Sequence, residues 1–95
     1  MVPLEIKSAS WYVYVLKSLK SGRWYTGSTK DLRKRFSQHN ENKSLYTNKR
    51  GPWELIYYEW CKNEEDARSR ELYLKSDMGK RYLQNRMKRF LSLTG

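Results

Sequence analysis

Cysteine is almost absent from this chain: Cys61 stands alone among 95 residues. A single thiol excludes an internal disulfide and any zinc site built on several cysteines. It fits a reducing compartment, and the cytoplasm is the expected location. Proline occurs twice and glycine five times, and no low-complexity tract or internal repeat is visible. No run approaches the roughly 18 apolar residues that span a bilayer. The opening MVPLEIKSAS has no charged start followed by a long apolar stretch, so it does not read as a secretory signal. Residues 1–10 read as a loose tail and 11–95 as one domain. Acidic residues are also scarce, ten against twenty Lys and Arg, for a formal charge of +10. No basic amphipathic segment with bulky insertion residues stands out, which argues against a membrane surface. A polyanion is the leading partner, since Lys and Arg displace counterions from phosphates.

What the chain does have is aromatic surface: four Trp, eight Tyr and two Phe, enough for one compact core in a domain near the lower size limit for folding alone. Two aromatic, β-branched runs, Trp11 to Leu16 and Trp24 to Thr26, flank a turn at Ser21-Gly22 and predict a β-hairpin. The second run ends at Gly27. Asp31 is placed to cap a helix that follows. Leu32, Phe36 and His39 share a face of that helix, and Arg35 lies one turn before His39. Asn40 to Pro52 is polar and reads as a loop. Trp53 to Trp60 reads as a third strand; its unbroken apolar centre, Leu55-Ile56-Tyr57-Tyr58, predicts a strand covered on both faces and therefore central.

Asn63 caps a second helix whose first turn carries Glu64, Glu65 and Asp66 against the positive end of the dipole. Ala67, Glu71 and Leu74 share its packing face. A glutamate there needs compensation, either an ion pair with Lys75 or a nearby arginine, or a divalent metal. Ser76 to Gly79 interrupts the pattern, and a last helix is expected from about Lys80 to Leu91. Its apolar face holds Tyr82, Leu83, Met87, Phe90 and Leu91, with Asn85 on the polar side. The fold class is α+β, a three-stranded antiparallel sheet flanked by about three helices. Cys61 follows a strand pattern and reads as a packing residue.

Tyr12-Val13-Tyr14 and Tyr25-Thr26-Gly27, followed by Arg35 and His39 and later by Glu71, resemble the ordered motif of the GIY-YIG nucleases over residues 11 to 91. The first triplet has Tyr12 in place of its leading glycine, and the second has Thr26 in place of isoleucine. The resemblance implies a catalytic group of Tyr14, Tyr25, Arg35 and His39, a metal carboxylate at Glu71, and Gly27 as a structural element of the motif. It implies Mg²⁺ or Mn²⁺ as cofactor and DNA as substrate, with RNA not excluded. On chemical grounds Tyr14 is the leading general base, a role Tyr25 can exchange with it. Arg35, near the tyrosines, would favour their phenolates and stabilise the phosphoryl transition state. His39 would donate to phosphate or assist proton transfer.

The basic residues Lys30, Lys34, Lys43, Lys49 and Arg50, interleaved with aromatic positions, are candidates for the nucleic-acid backbone; a second basic stretch runs from Lys75 to Arg89. The expected function is a metal-dependent DNA endonuclease, structure-directed in repair or recombination, or dependent on a partner protein or homodimer. The alternative is a DNA- or RNA-binding module that keeps the fold without turnover.

Overall fold

The computed structural model describes residues 10–41 and 47–94. The tail reading for residues 1–9 and the Lys43 assignment lie outside the described residues. Three antiparallel strands, β1 (Trp11–Ser18), β2 (Trp24–Thr29) and β3 (Trp53–Cys61), carry four helices: α1 (Leu32–Asn40), α2 (Glu64–Lys75), α3 (Asp77–Arg86) and α4 (Lys88–Thr94).

The hairpin forms where the composition places it, with Gly22 at a positive φ of 78° in the turn, where a residue without Cβ is unstrained. β2 runs two residues beyond Gly27, because Ser28 and Thr29 continue the ladder opposite Val13 and Tyr12. Both predicted N-caps are in place. The Asp31 carboxylate accepts from the Lys34 amide at 3.1 Å, and the Asn63 side chain accepts from the Asp66 amide at 2.9 Å.

The strand order is β2-β1-β3, so β1, and not the third strand, is central. Val13, Tyr14, Val15 and Leu16 are all buried because both faces of β1 are covered. Val13 and Val15 pack with Ala67, Leu74, Leu83 and Met87 from the helices after β3, whereas Tyr14 and Leu16 pack with Trp53, Leu32 and Phe36. The apolar run in β3 has a different cause. The register slips between Val15 and Leu16, whose partners are Tyr57 and Leu55. The skipped Ile56 turns the same way as Tyr57, and both join the α2 side. A bulge puts two successive side chains on one face, and here it reads in sequence as double coverage. β3 is an edge strand, with Tyr58 and Trp60 about half exposed.

The C-terminal helical region is divided into α3 and α4, giving four helices among the described residues in place of about three. Ser76 caps α3, accepting from the Gly79 amide at 3.1 Å, so the helix starts before Lys80. Gly79 is buried in its first turn: a Cβ there would strike the Tyr73 carbonyl and come 2.5 Å from Leu74 Cα. The glycine is thus a close-approach position and not a break. The bend at Met87 (φ −107°, ψ 19°) lets Leu83, Met87, Phe90 and Leu91 all reach the core. Outside that core, Arg70 is bidentate to Glu59, at 2.8 and 3.0 Å. Its guanidinium also lies over the rings of Tyr73 and Tyr82, tying α2 and α3 to β3. Cys61 packs against the core. Burial, with Glu59 and Asp66 nearby, raises its thiol pKa, which fits a packing residue and not a nucleophile.

Candidate active site

Tyr14 and Gly27 are directly opposed in the β1–β2 ladder. The phenol of Tyr14 lies across the glycine, and a Cβ at residue 27 would sit 2.6 Å from its hydroxyl and 3.1 Å from the ring of Tyr25. Cross-strand partners normally share the space above a pleat; here Gly27 cedes all of it to two tyrosines. Their ring centroids are 6.4 Å apart, and that of His39 is 5.6 Å from Tyr14 and 5.1 Å from Tyr25. The structure therefore brings Tyr14, Tyr25 and His39 together over Gly27.

The polar contacts form a directed chain. The Tyr14 hydroxyl lies 2.8 Å from His39 Nε2, and the Arg35 guanidinium, whose Nη1 donates to Gln38 at 3.0 Å, is near enough to favour the Tyr14 phenolate. His39 is fully buried, and its Nδ1 is 2.6 Å from Thr47 Oγ1. We assign the ring proton to Nδ1, donating to Thr47, because that tautomer leaves Nε2 as the acceptor the phenol needs. Thr47 is itself fully buried, and its carbonyl accepts from the Trp53 indole at 3.2 Å. Asn40 closes the loop at its base, accepting from the Trp53 amide at 2.7 Å and donating to the Trp53 carbonyl at 3.1 Å.

Burial, and then Arg35, pull the His39 pKa down to about 4, so the imidazole is neutral at pH 7. Burial also pushes Tyr14 up to about 12, helped by Tyr25 and Glu71 and opposed by Arg35. Arg35 acts in the direction the sequence argument expects, but desolvation outweighs it. The resting Tyr14 is a phenol.

Glu71 reaches the same stretch of β2 from the other face. Its carboxylate accepts from Ser28 Oγ at 2.6 Å and from Lys75 Nζ at 2.8 Å, and Arg68 lies 4.0 Å off. Burial favours its neutral form, but the Lys75 and Ser28 hydrogen bonds outweigh this and hold the pKa below the ordinary carboxylate value. The ion pair expected of a glutamate on a packing face is present. So is an ionised carboxylate one residue from Gly27 along the strand, through Ser28. No three His, Cys, Asp or Glu side chains gather as a metal cluster among the described residues.

The basic candidates separate. Lys30 lies over the Trp11 ring at 5.7 Å, and Lys34 is exposed on α1. Lys49 and Arg50 lie elsewhere, in a cavity beside the hairpin turn. Asn85 is exposed on α3. Sequence reasoning missed Thr47 and Ser28. Thr47 sits in a loop with no periodicity, and only its spacing of eight residues from His39 leaves any trace. Ser28 immediately follows the glycine of the second triplet, a position next to the motif but not in it.

A model of the GIY-YIG catalytic domain matches residues 10–91. The chain belongs to the GIY-YIG family, a family of nucleases that generally use divalent metals. Within it, the chain is similar to proteins designated UPF0213. It is 46% identical over 65 residues to one from Clostridium perfringens, covering 67% of this chain and 69% of that protein. It is 42% identical to UPF0213 protein YazA of Bacillus subtilis, covering 67% of this chain and 65% of that one. The matched region thus spans about two thirds of these relatives. The solution NMR structure of a UPF0213 protein from Bacillus halodurans has 34% identity and a TM-score of 0.50, covering 80% of this chain and 83% of that one. No helix among the described residues is long and apolar enough to cross a membrane.

Proposed function

We propose that this protein is an endonuclease that hydrolyses DNA phosphodiester bonds with a divalent metal, Mg²⁺ or Mn²⁺. The observation that carries the reading is the Tyr14–His39–Thr47 chain of hydrogen bonds, with Arg35 acting on the same phenol and an ionised Glu71 held on the other face of the same strand. A module that only binds nucleic acid has no use for a buried phenol–imidazole pair under the influence of a guanidinium and an ionised carboxylate.

Tyr14, with its pKa near 12, does not act as a standing phenolate. It relays: its oxygen takes a proton from the attacking water while its own proton moves to His39 Nε2. His39 is suited to receive it because burial keeps the ring neutral and Thr47 fixes the tautomer. The proton makes His39 cationic in a buried site that disfavours the charge, so the transfer is transient and coupled to phosphate attack. Arg35, which acts on the same phenol, presents its donors to the phosphoryl oxygens, for which the guanidinium fork is matched. Tyr25, packed on His39, orients the water or the phosphate.

The donor set fits a metal that takes few protein ligands. Mg²⁺ is commonly held by one or two carboxylates together with waters and substrate phosphates, and Glu71 is ionised and only 14% exposed. Glu71 would hold the ion, with the half-exposed Lys75 swinging aside. Held there, such an ion would supply charge stabilisation to the phosphoryl group as the bond breaks.

The test is cleavage of labelled single-stranded, duplex, flap and four-way-junction DNA, with Mg²⁺ or Mn²⁺ and with EDTA. Metal-dependent nicking is expected on at least one substrate, and a branched substrate that is cut best would support a repair or recombination role. Glu71→Gln, which keeps the Ser28 contact but removes the charge, should lose about 100-fold or more. Wild-type protein that binds all four substrates and cuts none would instead leave a binding module.

A further inference from the structure

We propose that the groove between the hairpin turn and α3 is a track for a single-stranded segment of nucleic acid flanking the scissile phosphate. This deepens the nuclease reading and rests on it for the position of that phosphate. The groove has a volume of about 660 Å³, and five of its lining side chains are cations: Lys20, Arg23, Lys49, Arg50 and Lys80. No acidic residue among the described residues lines it. These cations come from three separate parts of the chain, so nothing local in sequence requires them to converge. Their mutual repulsion is a cost that a polyanion would relieve.

The groove is also built in advance. Ser18 Oγ donates to the Arg50 carbonyl at 2.6 Å, and the Leu19 amide donates to the Pro52 carbonyl at 2.8 Å. These bonds fix the hairpin turn against the segment that carries Lys49 and Arg50. Lys49 holds a left-handed backbone conformation, φ 64°, uncommon for a residue with a side chain.

Direction comes from the neighbouring hollow. A second cavity, of about 450 Å³, is lined by Trp24, Tyr25, Thr26, Leu74, Lys75 and Lys80. It shares Trp24 and Lys80 with the basic groove. Its other end holds Tyr25 of the aromatic cluster and Lys75, the ion-pair partner of Glu71. The two hollows therefore share a wall along β2 that leads from the turn towards Tyr25 and Lys75. The half-buried Trp24 is common to both stretches, an apolar wall beside cations. That pairing is how sequence-tolerant single-strand binders hold backbone and base together. The groove has the volume of a small-molecule site, a scale that suits a few nucleotides of one strand.

The test uses fluorescence anisotropy of a labelled oligothymidylate in EDTA, so that binding is read without turnover. Arg23→Glu/Lys80→Glu is compared with Arg33→Glu/Lys62→Glu, an equal change of charge on exposed positions outside the groove. The groove variant should bind more than about tenfold more weakly at moderate salt. Its plot of log affinity against log salt should flatten by about 1.4, two contacts at about 0.7 each for single strands. The control should stay within a fewfold of wild type. Unfolding melts confirm that both variants fold.

Equal losses in the two variants would overturn the proposal, leaving net charge as the only determinant, and so would a wild type that does not bind. The two readings fail separately. Wild-type cleavage with an unaffected groove variant removes the track and keeps the nuclease. A groove-specific loss of binding without any cleavage keeps the track and removes the nuclease.

Discussion

Tyr14→Phe should lower single-turnover cleavage by about 1,000-fold or more while the protein stays folded. The substitution deletes one oxygen and keeps the ring that packs with Leu16 and Trp53. That oxygen hands its proton to His39 at 2.8 Å and lies under the influence of Arg35, so its removal disconnects His39 from the water. Loss of general-base assistance costs about 100- to 10,000-fold. Stability should fall by only about 1 kcal/mol, the worth of a hydrogen bond whose acceptor is left buried. Cleavage assays paired with thermal melts check both halves. A structural role alone would give the opposite pattern, a large change in melting and little in rate.

The second large effect concerns pH and stability. His39 is the only histidine in the chain, fully buried, with a folded pKa of about 4 against an ordinary 6.5. Between those values the unfolded chain binds a proton that the folded one refuses. Stability is therefore complete above about pH 6.5 and is lost as pH falls towards 4. The integrated loss is roughly 3 kcal/mol, with a slope approaching about 1.4 kcal/mol per pH unit near pH 5.

Glu59 and Glu71 have folded pKa values below the ordinary carboxylate 4.5. Their contribution is present above 4.5 and disappears below it, outside the window from pH 5 to 6.5. Urea unfolding across that window should show the slope in wild type and little of it in His39→Asn, whatever that variant's absolute stability. A slope that survives the substitution would place its source elsewhere.

What the sequence made legible was local. The hairpin turn at Gly22 and the caps Asp31 and Asn63 each follow from a few adjacent residues, and the structure has all of them. The spacing of Arg35 and His39 placed them as neighbours on one helix. It did not reveal that His39 is buried between Tyr14 and Thr47, since that depends on a loop folding back over the sheet. The misplaced central strand has the same origin. An apolar run says that side chains are buried, not on which face, and the bulge at Ile56 broke the alternation that would have told the two apart. Burial also decides the tyrosine chemistry, for the Arg35 effect on Tyr14 was foreseeable from proximity and the larger desolvation was not. The basic groove lay furthest from view, because its cations belong to three segments that only the finished fold assembles.

The most direct test of the central claim is single-turnover cleavage of the best substrate by wild type and Arg35→Ala, at saturating protein, in Mg²⁺. Arg35 is half-buried on α1, acts on the Tyr14 phenol and caps no helix. Its removal should leave the melting temperature within a few degrees and slow the chemical step by about 1,000-fold, as expected of a guanidinium that meets transition-state charge. Cleavage by Arg35→Ala at the wild-type rate would contradict the account, because the phosphate would then be handled somewhere other than above Gly27.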